Sequence, residues 1–200
     1  MPDKTASIVF RHPSALCESQ DIGAGTHVWA FAHVMDGAVV GQNCNIGDHA
    51  FVEKGAIVGD RVTIKNGVMI WDGVTIENDA FVGPGVIFTN DRYPRSRRLA
   101  EAKKRYKNKD NWITSTKVLR GASIGAGAII LPGITIGRFA TIAAGACVTH
   151  NVPNHALLVG HPAREVGWVC FCGMTLDGTL ACPDCNRGFR QQDNAIVPSE

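Results

Sequence analysis

The sequence predicts an all-β chain wound as a narrow prism, with three short strands to each turn of the coil. The first observation is a six-residue step. Starting at Ile22 it reads Ile22, Val28, Val34, Val40, Ile46, Val52, Val58, Ile64, Ile70, Ile76, Val82 and Phe88, and a second run reads Val118, Ile124, Ile130, Ile136, Ile142 and Val148. Seventeen of these eighteen positions are Ile or Val. The second observation is that the residue four places after each anchor from Ile22 to Val82 is small or β-branched, from Thr26, Ala32 and Ala38 through Val74, Ala80 and Val86. The third is composition: 22 Gly in 200 residues against an average near 7%, and only 7% aromatic side chains. Neither a helical period nor simple strand alternation keeps a six-residue register for so long. A coil of three strands per turn does, because each sixth side chain then points inward.

Taken in order, Phe10 and Leu16 extend the register backwards from Ile22. Through the first run, Gly follows many anchors, as at Gly23, Gly41, Gly47, Gly59 and Gly83, and supplies turns needing positive φ. After Phe88 the register stops for the 29 residues from 89 to 117, an interruption of functional length. This segment holds ten Lys/Arg and three acids, a net of +7 inside a chain whose total is +2. It reads as an electropositive lid for an anionic ligand, with a short helix over Arg97–Tyr106 in its middle. The second run, 118–148, resumes the prism, which extends to residue 166 and amounts to about 6.5 coils of 18 residues, roughly 30 Å tall. Its ends expose strand edges, for which the charged N-terminus and the C-terminal appendix are the caps.

Residues 167–200 form that appendix. Four of the seven cysteines fall there, as Cys170-Phe-Cys172 and Cys182-Pro-Asp-Cys185, two knuckles suited to tetrahedral Zn²⁺. The predicted domains are therefore 1–166, carrying the inserted loop 89–117, and 167–200, a zinc-ribbon-like module. No apolar run approaches the ~20 residues of a membrane helix, and Met1-Pro-Asp-Lys-Thr lacks a signal-peptide core, so the expectation is a cytoplasmic protein without a membrane partner. No nucleic-acid recognition module accompanies the basic loop, so nucleic acid is not an expected partner.

An 18-residue coil stacks residues into columns. Met35, Glu53, Trp71 and Thr89 form one, Asp36, Lys54, Asp72 and Asn90 the next, and His33 lies below Phe51 and Met69. Trp71, just after the inward Ile70, is expected to point outward as a binding wall at the root of the loop.

The repeat resembles the hexapeptide-repeat acyltransferases over residues 10–166, which implies a left-handed parallel β-helix and a homotrimer. Four stretches are similar to the nucleotide-sugar 3-N-acetyltransferases: Val28-Trp-Ala-Phe-Ala-His-Val-Met, Lys65-Asn-Gly-Val-Met-Ile-Trp-Asp-Gly, Phe88-Thr-Asn-Asp-Arg-Tyr-Pro-Arg-Ser and Val159-Gly-His-Pro-Ala-Arg. The resemblance implies transfer of acetyl from acetyl-CoA to the 3-amino group of a dTDP-3-amino-3,6-dideoxyhexose for bacterial surface polysaccharide such as O-antigen. A sibling group acts on UDP-2-acetamido-3-amino-hexuronate. The implied catalytic positions are Asn90, with His33 and Asp91 as candidate bases. The implied acceptor site takes Glu53, Lys65, Trp71, Asp72, Phe88, Thr89, Arg92, Tyr93 and Arg95. Acetyl-CoA is expected against Arg120, Ala126, Gly127, Ala143, Ala144, Gly145, Pro162, Ala163 and Arg164. Cys170, Cys172, Cys182 and Cys185 are the expected metal ligands. Two other readings stand beside this one. The first is a non-enzymatic β-helix scaffold with a zinc contact module. The second is a metal-dependent hydratase on the same prism, which His27, His33, His49, His150 and His155 do not fit in spacing.

Overall fold

The computed structural model describes residues 8–193 and 195–199. It is a parallel β-solenoid of about 8 turns, built from strands two to four residues long. Short strands follow from the repeat: a turn of 18 residues must hold three strands and three corners. The first face has nine strands, from Phe10–Arg11 up to Thr141–Ile142, Ala156–Val159 and the antiparallel Arg164–Trp168. Seven strands make the second face, from Leu16–Cys17 to Cys147–Val148, and five the third, from Val39–Val40 to Thr135–Ile136. The chain runs first, second, third and back, so each pair of faces meets at an edge of stacked turns.

Register is set by the coil length. Phe51 pairs with Met69 and Val52 with Ile70, and alternation turns Ile70 inward while Met69 faces out. Every anchor from Val28 to Val148 is at most 2% exposed. Each buried Val or Ile side chain contributes about 1.5–3 kcal/mol over its exposed state, and this core holds the prism together.

Several expectations are corrected. Phe10 and Leu16 do not extend the inward register: they pair with the outward His27 and His33, and are 40% and 54% exposed. The opening coil is one residue short, so Arg11 and Cys17 align with the inward Val28 and Val34. The glycines after the anchors are needed for close approach of coils and not for positive φ. A Cβ on Gly59 would stand 2.8 Å from the Asn78 backbone nitrogen of the next coil. Positive φ belongs to another set, among them Gly55 and Gly73, both at +87° on the second–third edge. The turns number about 8, more than the 6.5 expected: eight parallel strands stack on the first face, from Phe10–Arg11 to Ala156–Val159.

The short helix expected over Arg97–Tyr106 is not one continuous α-helix: the loop forms separate 3-10 turns at Ala100–Ala102 and Arg105–Lys107, with a third beyond the segment at Lys109–Asn111. Asn108, extended at φ −123°, separates the last two and caps the third by accepting from the Asp110 amide. A stretch this short needs packing along one face to sustain an α-helix, and here the loop's side chains are drawn instead toward Asp91.

At the far end, Arg164–Trp168 pairs antiparallel with Ala156–Val159 and covers the edge of the first face. The start of the charged N-terminus, expected as the other cap, lies outside the described residues. Beyond 168 the appendix has its own small core of Cys170, Leu176, Cys182, Phe189 and Ile196. It is fastened to the third–first edge through His155, whose ring stacks on Phe139 at 5.4 Å and meets Phe171 at 4.7 Å and Phe189 at 5.2 Å. Burial pushes the His155 pKa down, partly offset by its hydrogen bond to the Val169 carbonyl. The unfolded chain therefore binds this proton more readily than the folded one, and stability falls as pH drops below the ordinary histidine value of 6.5. The melting temperature is expected to fall between pH 7 and pH 5, and less so in His155→Phe; an equal fall in both proteins assigns the effect elsewhere.

Candidate active site

The inserted loop leaves the second face after Phe88 and rejoins the third at Thr116. Its two ends are tied together: Asp91 bridges Ile113, and the Thr114 amide donates to the Asn90 carbonyl at 2.9 Å. Gly73 lies beneath, where a Cβ would stand 2.6 Å from the Ile113 side chain.

Around this root the structure gathers Glu53, Trp71, Asp72, Thr89 and Asn90, as the column scheme predicts. The Asn90 side-chain amide donates to the Asp72 carbonyl at 3.1 Å. The Asp72 amide donates to Glu53 at 2.8 Å, and the Asp72 carboxylate takes Lys109 at 2.9 Å. Thr89 donates to the Ile130 carbonyl at 3.1 Å. Trp71 is half-buried, not a free wall: its indole N–H donates to the Phe88 carbonyl at 2.9 Å and its ring meets Phe51 at 5.5 Å. Phe88 itself is 1% exposed and points into the core, so its side chain is unavailable to a substrate.

Two clefts flank the root. The lower, about 460 Å³, lies between Met35, Glu53, Lys54 and Asp72 on the prism and Arg97, Lys109 and Trp112 on the loop. The upper, about 530 Å³, is lined by Thr89, Asp91, Arg92, Pro94, Leu131, Pro132, Thr149 and His150. Arg97, Lys109, Trp112 and His150 were not singled out as site residues by the sequence reading. The first three lie inside the loop, where no repeat fixes position. His150 was legible, because it shares the column of Asn90 and Pro132.

Other candidates lie elsewhere. His33 accompanies Glu18 at 3.1 Å on the second face, three coils below Asn90, or about 14 Å at a strand spacing of ~4.8 Å. One chain therefore cannot bring both to the same atom. Asp91 is no free base either. Burial raises its pKa, but the Tyr106 hydroxyl, the Tyr93 amide and Arg105 outweigh that and hold it below the ordinary carboxylate value. Tyr93 is exposed on the loop, and Arg95 donates its amide to the Tyr106 hydroxyl at 2.8 Å.

Ala126, Gly127, Ala143, Ala144 and Gly145 stack in two adjacent coils on the first–second edge, continuous with the segment at Pro162 and Ala163, whose amide reaches the Cys147 carbonyl at 2.8 Å. Arg164 follows at the start of the covering strand. Lys65 stands on this same edge, two coils below Ala126 and away from the loop root of its own chain. Arg120 does not join the group. It lies on the third–first edge and is paired with Asp79 at 2.9 Å.

Between the two edges, the outward side chains of the second face make one column of Leu16, His33, Phe51, Met69, Ile87, Ile129 and Cys147. Leu16, Met69 and Ile87 are 54%, 38% and 50% exposed. The matching column of the first face holds Asn45, Thr63, Ser123 and Thr141 among its members and is more polar.

The four appendix cysteines come together with all sulfurs within 4.8 Å of one another. Cys170 and Cys185 are 3.5 Å apart and Cys172 and Cys182 3.6 Å, far beyond the ~2.05 Å of a disulfide. A tetrahedral ion with bonds near 2.3 Å sets such sulfurs about 3.8 Å apart, so the set fits Zn²⁺.

A solenoid of hexapeptide turns with a loop inserted between two grooves defines a class, and the chain belongs to it: the hexapeptide-repeat acyltransferases. Residues 21–54 and 55–90 match the family described as bacterial transferase hexapeptide (six repeats), and 120–150 match the hexapeptide repeat of succinyl-transferase. A relative from Aneurinibacillus thermoaerophilus, dTDP-3-amino-3,6-dideoxy-alpha-D-galactopyranose 3-N-acetyltransferase, is 50% identical over 190 residues, spanning 94% of this chain and 93% of that protein. Among solved structures, the acetyltransferase domain of PglB from Neisseria gonorrhoeae shares the fold at TM-score 0.50 and 20% identity, over 80% of this chain and 58% of that one. The polySia-specific acetyltransferase NeuO does so at TM-score 0.50 and 22% identity, over 80% and 86%. Among the described residues, no helix is long and apolar enough to cross a membrane.

Proposed function

We propose that this acyltransferase moves acetyl from acetyl-CoA to the 3-amino group of a dTDP-3-amino-3,6-dideoxyhexose. The observation that carries the acceptor class is the 50% identity, over nearly the whole length of both chains, to an enzyme named for that reaction. The loop root supplies fitting chemistry. The Asn90 amide nitrogen is held on the Asp72 carbonyl, which leaves its oxygen to accept from the acceptor amine and aim the nitrogen lone pair. The amine nitrogen attacks the thioester carbonyl, the carbon–sulfur bond breaks, and the departing CoA thiolate takes the proton released by nitrogen. No protein base is required in this scheme. Arg92 and Arg97 in the two clefts attract the phosphates of donor and acceptor, and Glu53, Asp72 and Thr89 shape the acceptor side.

The active unit is a homotrimer. Acceptor candidates occupy the second–third edge and the small-residue groove for acetyl-CoA occupies the first–second edge, with the apolar second face between them. Three copies turning that face to a common axis bury the apolar column and bring one copy's donor groove against its neighbour's loop root. The same packing brings a neighbour's Lys65 edge to the acceptor. Zn²⁺ held by Cys170, Cys172, Cys182 and Cys185 is a structural ion with no open coordination position for catalysis. The product supplies acetamido sugars for surface polysaccharide, in the cytoplasm where nucleotide sugars and acetyl-CoA occur together.

The test is CoA release with dTDP- and UDP-linked 3-amino sugars offered in parallel. A strong preference for dTDP-3-amino-3,6-dideoxyhexoses is expected; preference for a UDP-hexuronate assigns the sibling activity. Metal analysis is expected to give one zinc per chain, and stripping it with a chelator plus a thiol reagent to lower the melting temperature. Less than a small fraction of one equivalent contradicts the zinc assignment.

A further inference from the structure

Asp91 was expected as a base, yet its carboxylate faces the loop. It is 10% exposed and ion-paired with Arg105. It accepts the Tyr106 hydroxyl at 2.6 Å and the Tyr93 amide at 2.9 Å. The Tyr106 hydroxyl in turn accepts the Arg95 amide at 2.8 Å, so one acid and one phenol gather residues from both halves of the loop. Beyond them Arg97 lies over the Tyr106 ring at 5.3 Å and over Trp112 at 4.4 Å. Arg97 and Trp112 form the loop wall of the lower cleft. Lys109, from the same wall, is tied down to Asp72. In a segment with a net charge of +7, mutual repulsion opposes any compact arrangement, and Asp91 is the half-buried anion around which it closes.

We infer that Asp91 is a positioning residue, whose carboxylate folds the basic loop so that Arg97 and Trp112 form a fixed wall for the anionic nucleotide end of the acceptor. The inference rests on the acceptor reading above, and it separates two roles that adjacent residues could confuse. Asn90 meets the reacting nitrogen, whereas Asp91 touches no reacting atom and acts through Tyr106 and Arg105. A charge-assisted hydrogen bond to a carboxylate is stronger than a neutral one, and three donors converge here. Replacing the carboxylate by an amide of equal size keeps the volume but removes the anion.

The experiment pairs Asp91→Asn with Tyr106→Phe and reads turnover, binding and loop order. Asp91→Asn is expected to raise KM for the dTDP-sugar roughly tenfold while kcat and the KM for acetyl-CoA stay within about twofold, the loss of one charge-assisted bond. Tyr106→Phe moves the same constant in the same direction by less. Trypsin, which cuts after Lys and Arg, is expected to cleave within 92–109 roughly tenfold faster in Asp91→Asn than in the parent chain, as the loop opens locally. A collapse of kcat at unchanged KM makes Asp91 a base and overturns the inference. So does a KM shift without faster cleavage, which makes Asp91 a direct contact, or faster cleavage without a KM shift. Titration with dTDP alone, followed by tryptophan fluorescence, needs no turnover; weaker binding in both variants supports the inference even where no acceptor tried is acetylated, and unchanged binding overturns it. If Asp91→Asn does not fold, Tyr106→Phe carries all three readouts.

Discussion

Asn90→Ala lowers kcat/KM for acetyl transfer by about 100-fold, with the fold and the oligomeric state unchanged. Its side-chain nitrogen is anchored on the Asp72 carbonyl at 3.1 Å, so the orientation of its oxygen is set before substrate arrives. Misplacing a reacting group by about 1 Å costs about that factor, because attack requires the nitrogen within a narrow approach to the carbonyl. Asn90→Asp is the sharper companion. It keeps an acceptor oxygen but sets a carboxylate oxygen against the Asp72 carbonyl, where an amide donor had been, and so turns an attraction into a repulsion. The expected order is parent, then Asp, then Ala, measured by steady-state CoA release. An Asn90→Ala enzyme within twofold of the parent removes Asn90 from the chemistry.

Ile87→Asp separates the subunits and abolishes detectable turnover. Ile87 is 50% exposed in the single chain and stands between Met69 and Ile129 in the apolar column. A carboxylate there has no partner when the faces meet, and desolvating an unpaired charge costs several kcal/mol. Sedimentation is expected to show monomers with unchanged β-sheet circular dichroism. Persistence of an active trimer places the interface elsewhere. The proposed sharing of a site between subunits has a second signature. Asn90→Ala damages the acceptor edge and Ala144→Trp, at an exposed position, blocks the donor groove. Neither homotrimer is active, but random mixed trimers pair an intact acceptor edge with an intact donor groove at about a quarter of their interfaces and regain up to that share of activity.

The prism was legible because one repeat unit fixes everything about it. Ile70 and Val52 are inward since each is a multiple of six from Ile22, and the 18-residue coil then places Asn90 above Asp72 without reference to a structure. Some of the failures fall where the period fails, and two fall within it. Phe10 and Leu16 were misplaced because the opening coil is one residue short, a deletion that hydrophobicity alone does not reveal, since Phe and Leu suit either face at an exposed end. Phe88 looks like a contact because its neighbours are, although the same register that places Asn90 also buries Phe88. Arg120 was grouped with the donor groove by its charge; its edge assignment, available from the coil count, sends it to Asp79 instead. Inside 89–117 no period exists, and the convergence on Asp91 depends on tertiary hydrogen bonds that composition does not encode. The appendix is legible in its cysteine spacing, while its attachment through His155, Phe139, Phe171 and Phe189 joins residues far apart in the chain and leaves no local mark.

The most direct test of the account is product analysis. Purified protein, acetyl-CoA and a dTDP-3-amino-3,6-dideoxyhexose are incubated together, and the nucleotide sugar is examined by mass spectrometry and NMR. The account predicts one acetyl group gained per sugar, as an amide on the C3 nitrogen, with one CoA released for each. Acetyl on a hydroxyl oxygen, or CoA release without an acetylated sugar, contradicts it.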